Sequence, residues 1–100
     1  MPIQTTIPDY LVQQLIQGKG FNYRNAIVFD ADEGKCRKFI SLEYGLLDLI
    51  HDEMDVKYKV MRQELEFRSR KVFDILLVKL CIRDGAETKF YFDITQVFGL

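Results

Sequence analysis

From Phe73 to Ile82 the chain reads Phe-Asp-Ile-Leu-Leu-Val-Lys-Leu-Cys-Ile, and only Asp74 and Lys79 interrupt the apolar run. Side chains of a strand alternate between faces, so one row holds Leu76, Val78, Leu80 and Ile82 and the other Phe73, Ile75, Leu77 and Cys81. A strand apolar on both rows belongs inside a sheet whose two faces are covered. A shift of one residue exchanges the rows without changing that requirement. This run is therefore expected to be a central strand, and the rest of the chain must supply its cover.

The flanking segments define the fold class. After Pro8, which suits a first helical turn, Leu11, Val12, Leu15 and Ile16 recur at helical spacing until Gly18, which predicts a helix over 8–17. Two short β-prone runs, 26–29 and 37–40, flank Ala31-Asp32-Glu33-Gly34-Lys35 and predict a hairpin. Ser41 as N-cap and the stripe Leu42, Leu46, Leu47, Leu49, Ile50 and Met54 predict a second helix over 42–54, with Gly45 costing about 1 kcal/mol inside it. Val56, Tyr58 and Val60 alternate as in a strand, but Met61, Leu65 and Phe67 continue with opposite parity. A bulge near Val60 and Met61 reconciles the two, while a helix with Arg62 and Glu66 as an i,i+4 pair is the alternative. Asp84-Gly85 predicts a turn into a strand at 89–94. The expected order is α-β-β-α-β-β-β, a single α+β domain over 1–100 with an antiparallel sheet of four to five strands and two helices.

Composition narrows the function classes. The 100 residues are 48% hydrophobic and include eight Phe and five Tyr, enough to form a core without metal or cross-links. Fourteen basic against fifteen acidic side chains leave a net charge of −1, which steers neither nucleic acid nor anionic membrane toward the whole molecule. No apolar segment approaches the roughly 20 residues of a membrane span, and the start Met1-Pro2-Ile3-Gln4 has no signal-like pattern, so a cytoplasmic protein is expected. Cys36 and Cys81 lack CxxC spacing and read as reduced, packed thiols.

Several residue groups invite a chemical reading and are weak on inspection. A Cys-His nucleophile needs His51, the only histidine, which is expected on the surface near a helix end, whereas Cys81 is expected buried. Asp30, Asp32, Glu33 and Gly34 resemble the start of a calcium loop but lack its later ligands, and a hydrolase built on Asp30, Asp32 and His51 has no recognisable motif behind it. Asp74 with Glu87-Thr88-Lys89 imitates a nuclease pattern, yet a turn at Asp84-Gly85 sets the two carboxylates roughly 30 Å apart. Gly18-Lys19-Gly20 is too short for a phosphate loop. Neither catalytic residues, nor a cofactor site, nor a metal site is expected.

Binding is the reading that remains. A small sheet with two short helices normally buries one face, so the second needs the tail Val97-Phe98-Gly99-Leu100, a ligand or another subunit. The candidate interface is Phe73, Ile75, Leu77 and Tyr91, and a non-catalytic protein-binding or regulatory module, dimeric through that apolar face, is the expected function. The first alternative is a pocket for a small apolar ligand lined by Phe29, Phe39, Tyr44, Tyr58, Phe90 and Phe92. A weaker alternative is nucleic-acid contact through the basic patch Arg68, Arg70 and Lys71, which lacks the broad positive footprint such proteins show.

Overall fold

The computed structural model describes residues 7–30 and 39–98. Two helices, α1 (Asp9–Ile16) and α2 (Phe39–Glu53), accompany four strands: β1 (Ile27–Val28), β2 (Tyr58–Arg68), β3 (Lys71–Leu80) and β4 (Glu87–Asp93). They form one mixed sheet in the order β1-β4-β3-β2, with β1 parallel to β4 and the other pairs antiparallel. The fold is α+β, as the residue pattern predicts.

β3 lies inside the sheet because it is apolar on both rows, and its pairing separates the faces. Asp74 and Leu76 stand opposite Phe92 and Phe90, while Phe73 and Ile75 stand opposite Asp93 and Tyr91. The first row meets the helices. There Leu11 of α1 and Leu42, Leu46 and Leu47 of α2 pack with Ile27, Leu76, Val78, Phe90 and Phe92 in the main core. Ile94 and Val97 join the same core, so the described part of the C-terminal segment packs on the helical face.

α2 starts earlier than the residue pattern predicts. That pattern puts Phe39 and Ile40 in a strand over 37–40, but Phe39 extends the helical stripe that continues through Leu42, Leu46 and Ile50, and its ring lies 6.4 Å from that of Phe29. Packing of that stripe overrides the β preference of two residues. The expected hairpin loop at 31–35 lies outside the described residues, as do Asp32, Glu33, Cys36 and Arg37. Gly45 sits against Ile7, whose Cδ1 would be 3.1 Å from an added Cβ, so its small size admits a side chain from before α1.

The ambiguous stretch is strand, with the bulge where the change in parity requires it: the β2–β3 register shifts between Val60 and Arg62. Met61 absorbs the extra residue. Beyond it Gln63, Leu65 and Phe67 face the helices, opposite Leu76, Asp74 and Val72, and Arg62, Glu64 and Glu66 face away. At the tip Ser69 and Arg70 form a two-residue turn with φ of 50° and 65°, the type I′ pattern that matches strand twist. The next connection is longer than the predicted Asp84-Gly85 turn. Lys79 pairs with Glu87, and residues 81–86 form the loop.

Candidate functional site

The face away from the helices is covered by the chain itself. Leaving α1, the backbone turns at Gly20, whose carbonyl accepts the Tyr91 N–H at 2.7 Å. With φ at +111° and Ile27 3.1 Å from any added Cβ, only glycine fits there without strain. The following loop wraps β4: Phe21 lies 5.2 Å from Phe90, and Tyr23 reaches the other face, 5.2 Å from Phe73 and 4.8 Å from Tyr91. Arg68 stacks over the Tyr23 ring at 4.1 Å, and the Tyr23 hydroxyl donates to Glu66. That hydrogen bond, helped by burial and the Glu66 charge, pushes the Tyr23 pKa up, so the phenol keeps its proton.

As a result Phe73 and Ile75, two of the four candidate interface residues, are each 4% exposed and form a second small core with Ala26. Leu77 and Tyr91 are half-buried. Arg62, Glu64 and Lys89 rim the shallow depression over Ile75 and Leu77. Long charged side chains shield such apolar surface with their stems, so this face does not by itself require a partner.

Two of the three basic-patch residues make contacts within the fold. Arg68 covers Tyr23 and Lys71 Nζ lies 3.9 Å from Asp93, while Arg70 is exposed in the hairpin turn. The expected ligand-lining aromatics are core packing: Phe29 is 6.0 Å from Phe92, Phe39 and Phe90 belong to the same cluster, and Tyr58 donates to Asp48 at 2.6 Å. Tyr44 is exposed.

Two expected environments are reversed. His51 is buried at 3% exposure, stacked 4.4 Å from Tyr58 with Nδ1 2.6 Å from the Leu47 carbonyl. Cys81, expected in the strand interior, stands exposed just past the end of β3. The nuclease imitation fails on facing as well as distance. Asp74 points to the helices, while Glu87 pairs with Lys79 on the other row, about 17 Å along the strand, closer than the turn at Asp84-Gly85 implied. Among the described residues no group of three or more acidic, His or Cys side chains is placed to hold a metal ion. No helix there is long and apolar enough to cross a membrane.

Among the described residues, the edge formed by β2 stays open. The sheet has two edges, and they are treated differently. At β1 the Gln14 side chain accepts the Val28 N–H at 2.8 Å and donates to the Val28 carbonyl at 3.0 Å, as a neighbouring strand would. The Tyr10 hydroxyl accepts the Asp30 N–H at 3.0 Å. At β2 no described element covers the outer side, although the strand runs for 11 residues. Edge strands that long invite pairing with another chain.

The helix-side surface of β2 is apolar and exposed: Met61 at 48%, Leu65 at 49% and Phe67 at 67%, with Phe98 stacked edge-on to Phe67 at 5.7 Å. Ile40 and Tyr44 of α2 are exposed too. Helical spacing puts them on the flank that also carries Asp48, the partner of Tyr58 in β2. α2 and β2 thus both carry exposed apolar side chains beside the Tyr58–Asp48 hydrogen bond.

Two carboxyl groups are buried between α2 and the sheet. Glu43 of α2 and Asp74 of β3 are 0% and 1% exposed, and both Glu43 oxygens and Asp74 Oδ1 find no N–H or hydroxyl donor among the described residues. A proton on Glu43 lets the two carboxyls bond to each other, and Gln63 Nε2 donates to Asp74 Oδ2 at 2.8 Å. Burial first, then the bond to Asp74 and its charge, pushes the Glu43 pKa up to about 11. The pair therefore ties α2 to the sheet as a neutral acid on its partner. Residue patterns do not reveal this contact, since Glu43 reads as an N-terminal helix charge.

Comparisons with protein-family models, with curated proteins and with solved structures find no match for this chain.

Proposed function

We propose that this chain is a non-catalytic protein-binding module whose partner adds to the open side of β2 and covers Met61, Leu65 and Phe67. The carrying observation is the contrast between the edges: Gln14 closes β1, while no described residue pairs with the outer side of the 11-residue β2, which lies beside exposed aromatic and aliphatic side chains. Strand addition obtains affinity from backbone hydrogen bonds and specificity from alternate side chains, and β2 offers both. The cytoplasm is the compartment that suits this role, since a thiol as exposed as that of Cys81 stays reduced there.

The test is capture of partners from the native host with wild-type protein and with a Leu65→Lys, Phe67→Lys variant. Both positions are exposed, so the variant folds, and a charged edge blocks strand addition. A partner held by the wild type and lost from the variant is the expected result. Partners retained equally by both overturn the assignment to β2.

A further inference from the structure

Resting on the reading of β2 as a binding edge, we infer that its partner is a second copy of this chain, paired antiparallel through β2 about a two-fold axis at Gln63. The charge sequence of the strand is what selects this occupant. On the face away from the helices β2 carries Arg62, Glu64, Glu66 and Arg68, all in register beyond the bulge.

A two-fold antiparallel pair that matches faces must centre on a residue of β2, and each centre sets different charges opposite each other. Centred on Gln63, Arg62 of each copy stands opposite Glu64 of the other, twice by symmetry, and Met61 meets Leu65. Centring on Leu65 opposes Arg62 to Arg68 and Glu64 to Glu66, all like charges. Centring on Glu64 pairs Arg62 with Glu66, and centring on Glu66 pairs Glu64 with Arg68, but each sets the central carboxylate against its own copy, and centring on Phe67 leaves little beyond the hairpin tip to pair. The Gln63 register combines two opposite-charge pairs with apolar contact on the helix side and sets no like charges opposite each other.

Within one chain Arg62 Nη1 already lies 2.8 Å from Glu64 Oε1, at side-chain exposures of 65% and 45%. A second copy therefore meets an alternating basic-acidic patch, and the four groups close into a network. The net charge of −1 leaves no long-range repulsion to overcome. Pairing also continues the four-stranded sheet across the axis into that of the second copy, removing the exposed edge of both.

Charge exchange tests the register. Glu64→Arg sets two guanidinium groups against each other across the axis, and Arg62→Glu sets two carboxylates against each other. Each single variant is expected to weaken the dimer about tenfold or more, read as a rise in the dissociation constant by analytical ultracentrifugation. Mixing the two variants pairs a doubly basic strand with a doubly acidic one and restores association as a heterodimer, a result a merely structural effect does not produce. Circular dichroism of each variant verifies the fold. A wild-type chain that stays monomeric at all concentrations overturns self-pairing and leaves β2 open to another partner. A dimer indifferent to both exchanges and to Leu65→Lys overturns the Gln63 register and the assignment of binding to β2 together.

Discussion

The side-chain amide of Gln14 closes both backbone groups of Val28, occupying the place a fifth strand would take at the β1 edge. One residue of α1 thereby ends the sheet on that side, and among the described residues the long strand β2 is left as its open margin. Gln14→Ala removes two hydrogen bonds whose backbone partners water can reach, so a loss of about 1 kcal/mol in urea unfolding is expected. Exchange of the Val28 amide should accelerate. Unchanged exchange at Val28 would show that the edge is closed by something other than this amide.

Glu43 makes stability depend on pH. Its folded pKa, about 11, lies above its ordinary value, so the folded state holds a proton that the unfolded state releases first. The contribution is fully present below about pH 4 and fades as pH rises toward the folded value, at up to about 1.4 kcal/mol per pH unit. Glu43→Gln keeps a donor toward Asp74 and removes the titration. At pH 8 it should stabilise by about 1–3 kcal/mol, and at pH 4 the two proteins should unfold alike. Equal urea midpoints for both proteins at pH 8 would contradict the shared proton.

Tyr23 is the main cover of the face opposite the helices. Tyr23→Ala exposes Phe73, Ile75 and Tyr91 and should cost about 2–4 kcal/mol, with a rise in binding of a hydrophobic fluorescent dye. Tyr23→Phe keeps the ring contacts and loses only the bond to Glu66, so its cost should stay below about 1 kcal/mol. A dye response in the Phe variant as large as that in the Ala variant would mean that the ring is not the cover.

The hairpin tip places two non-glycine residues at positive φ. Arg70→Gly relieves the left-handed strain and should stabilise by about 0.5–1 kcal/mol in thermal or urea unfolding, as should Ser69→Asn to a smaller degree. A destabilised Arg70→Gly protein would show that the Arg70 side chain contributes more than its backbone costs.

Much of the architecture is legible in local pattern. The parity change at Val60 and Met61 forecasts a bulge, and the register shift falls there, because side-chain alternation must be kept on both halves of one strand. The Phe73–Ile82 run forecasts a strand buried on both faces, and residues 71–80 are the third of four strands with neighbours on each side. Phe39 and Ile40 mislead because a short β-prone run and the first turn of an amphipathic helix look alike until the rest of the stripe is seated.

The candidate site is harder to read. Tyr23 sits in a loop with no periodicity, and nothing local shows that it crosses under β3 and β4 to close the face that the apolar run leaves bare. His51 and Glu43, polar residues within a helix, give no sign of burial, since that depends on which flank of α2 meets the sheet.

By itself the amino-acid order determined both helices and all of the strands but the one expected over 37–40, the two apolar rows of β3 and the bulge in β2, all consequences of side-chain alternation and helical spacing over neighbouring residues. Only the tertiary structure decided which margin of the sheet stays open. Gln14 and Val28, like Tyr23 and Phe73, meet across stretches of chain whose course depends on packing, and it is those meetings that close one edge and one face while β2 stays open among the described residues.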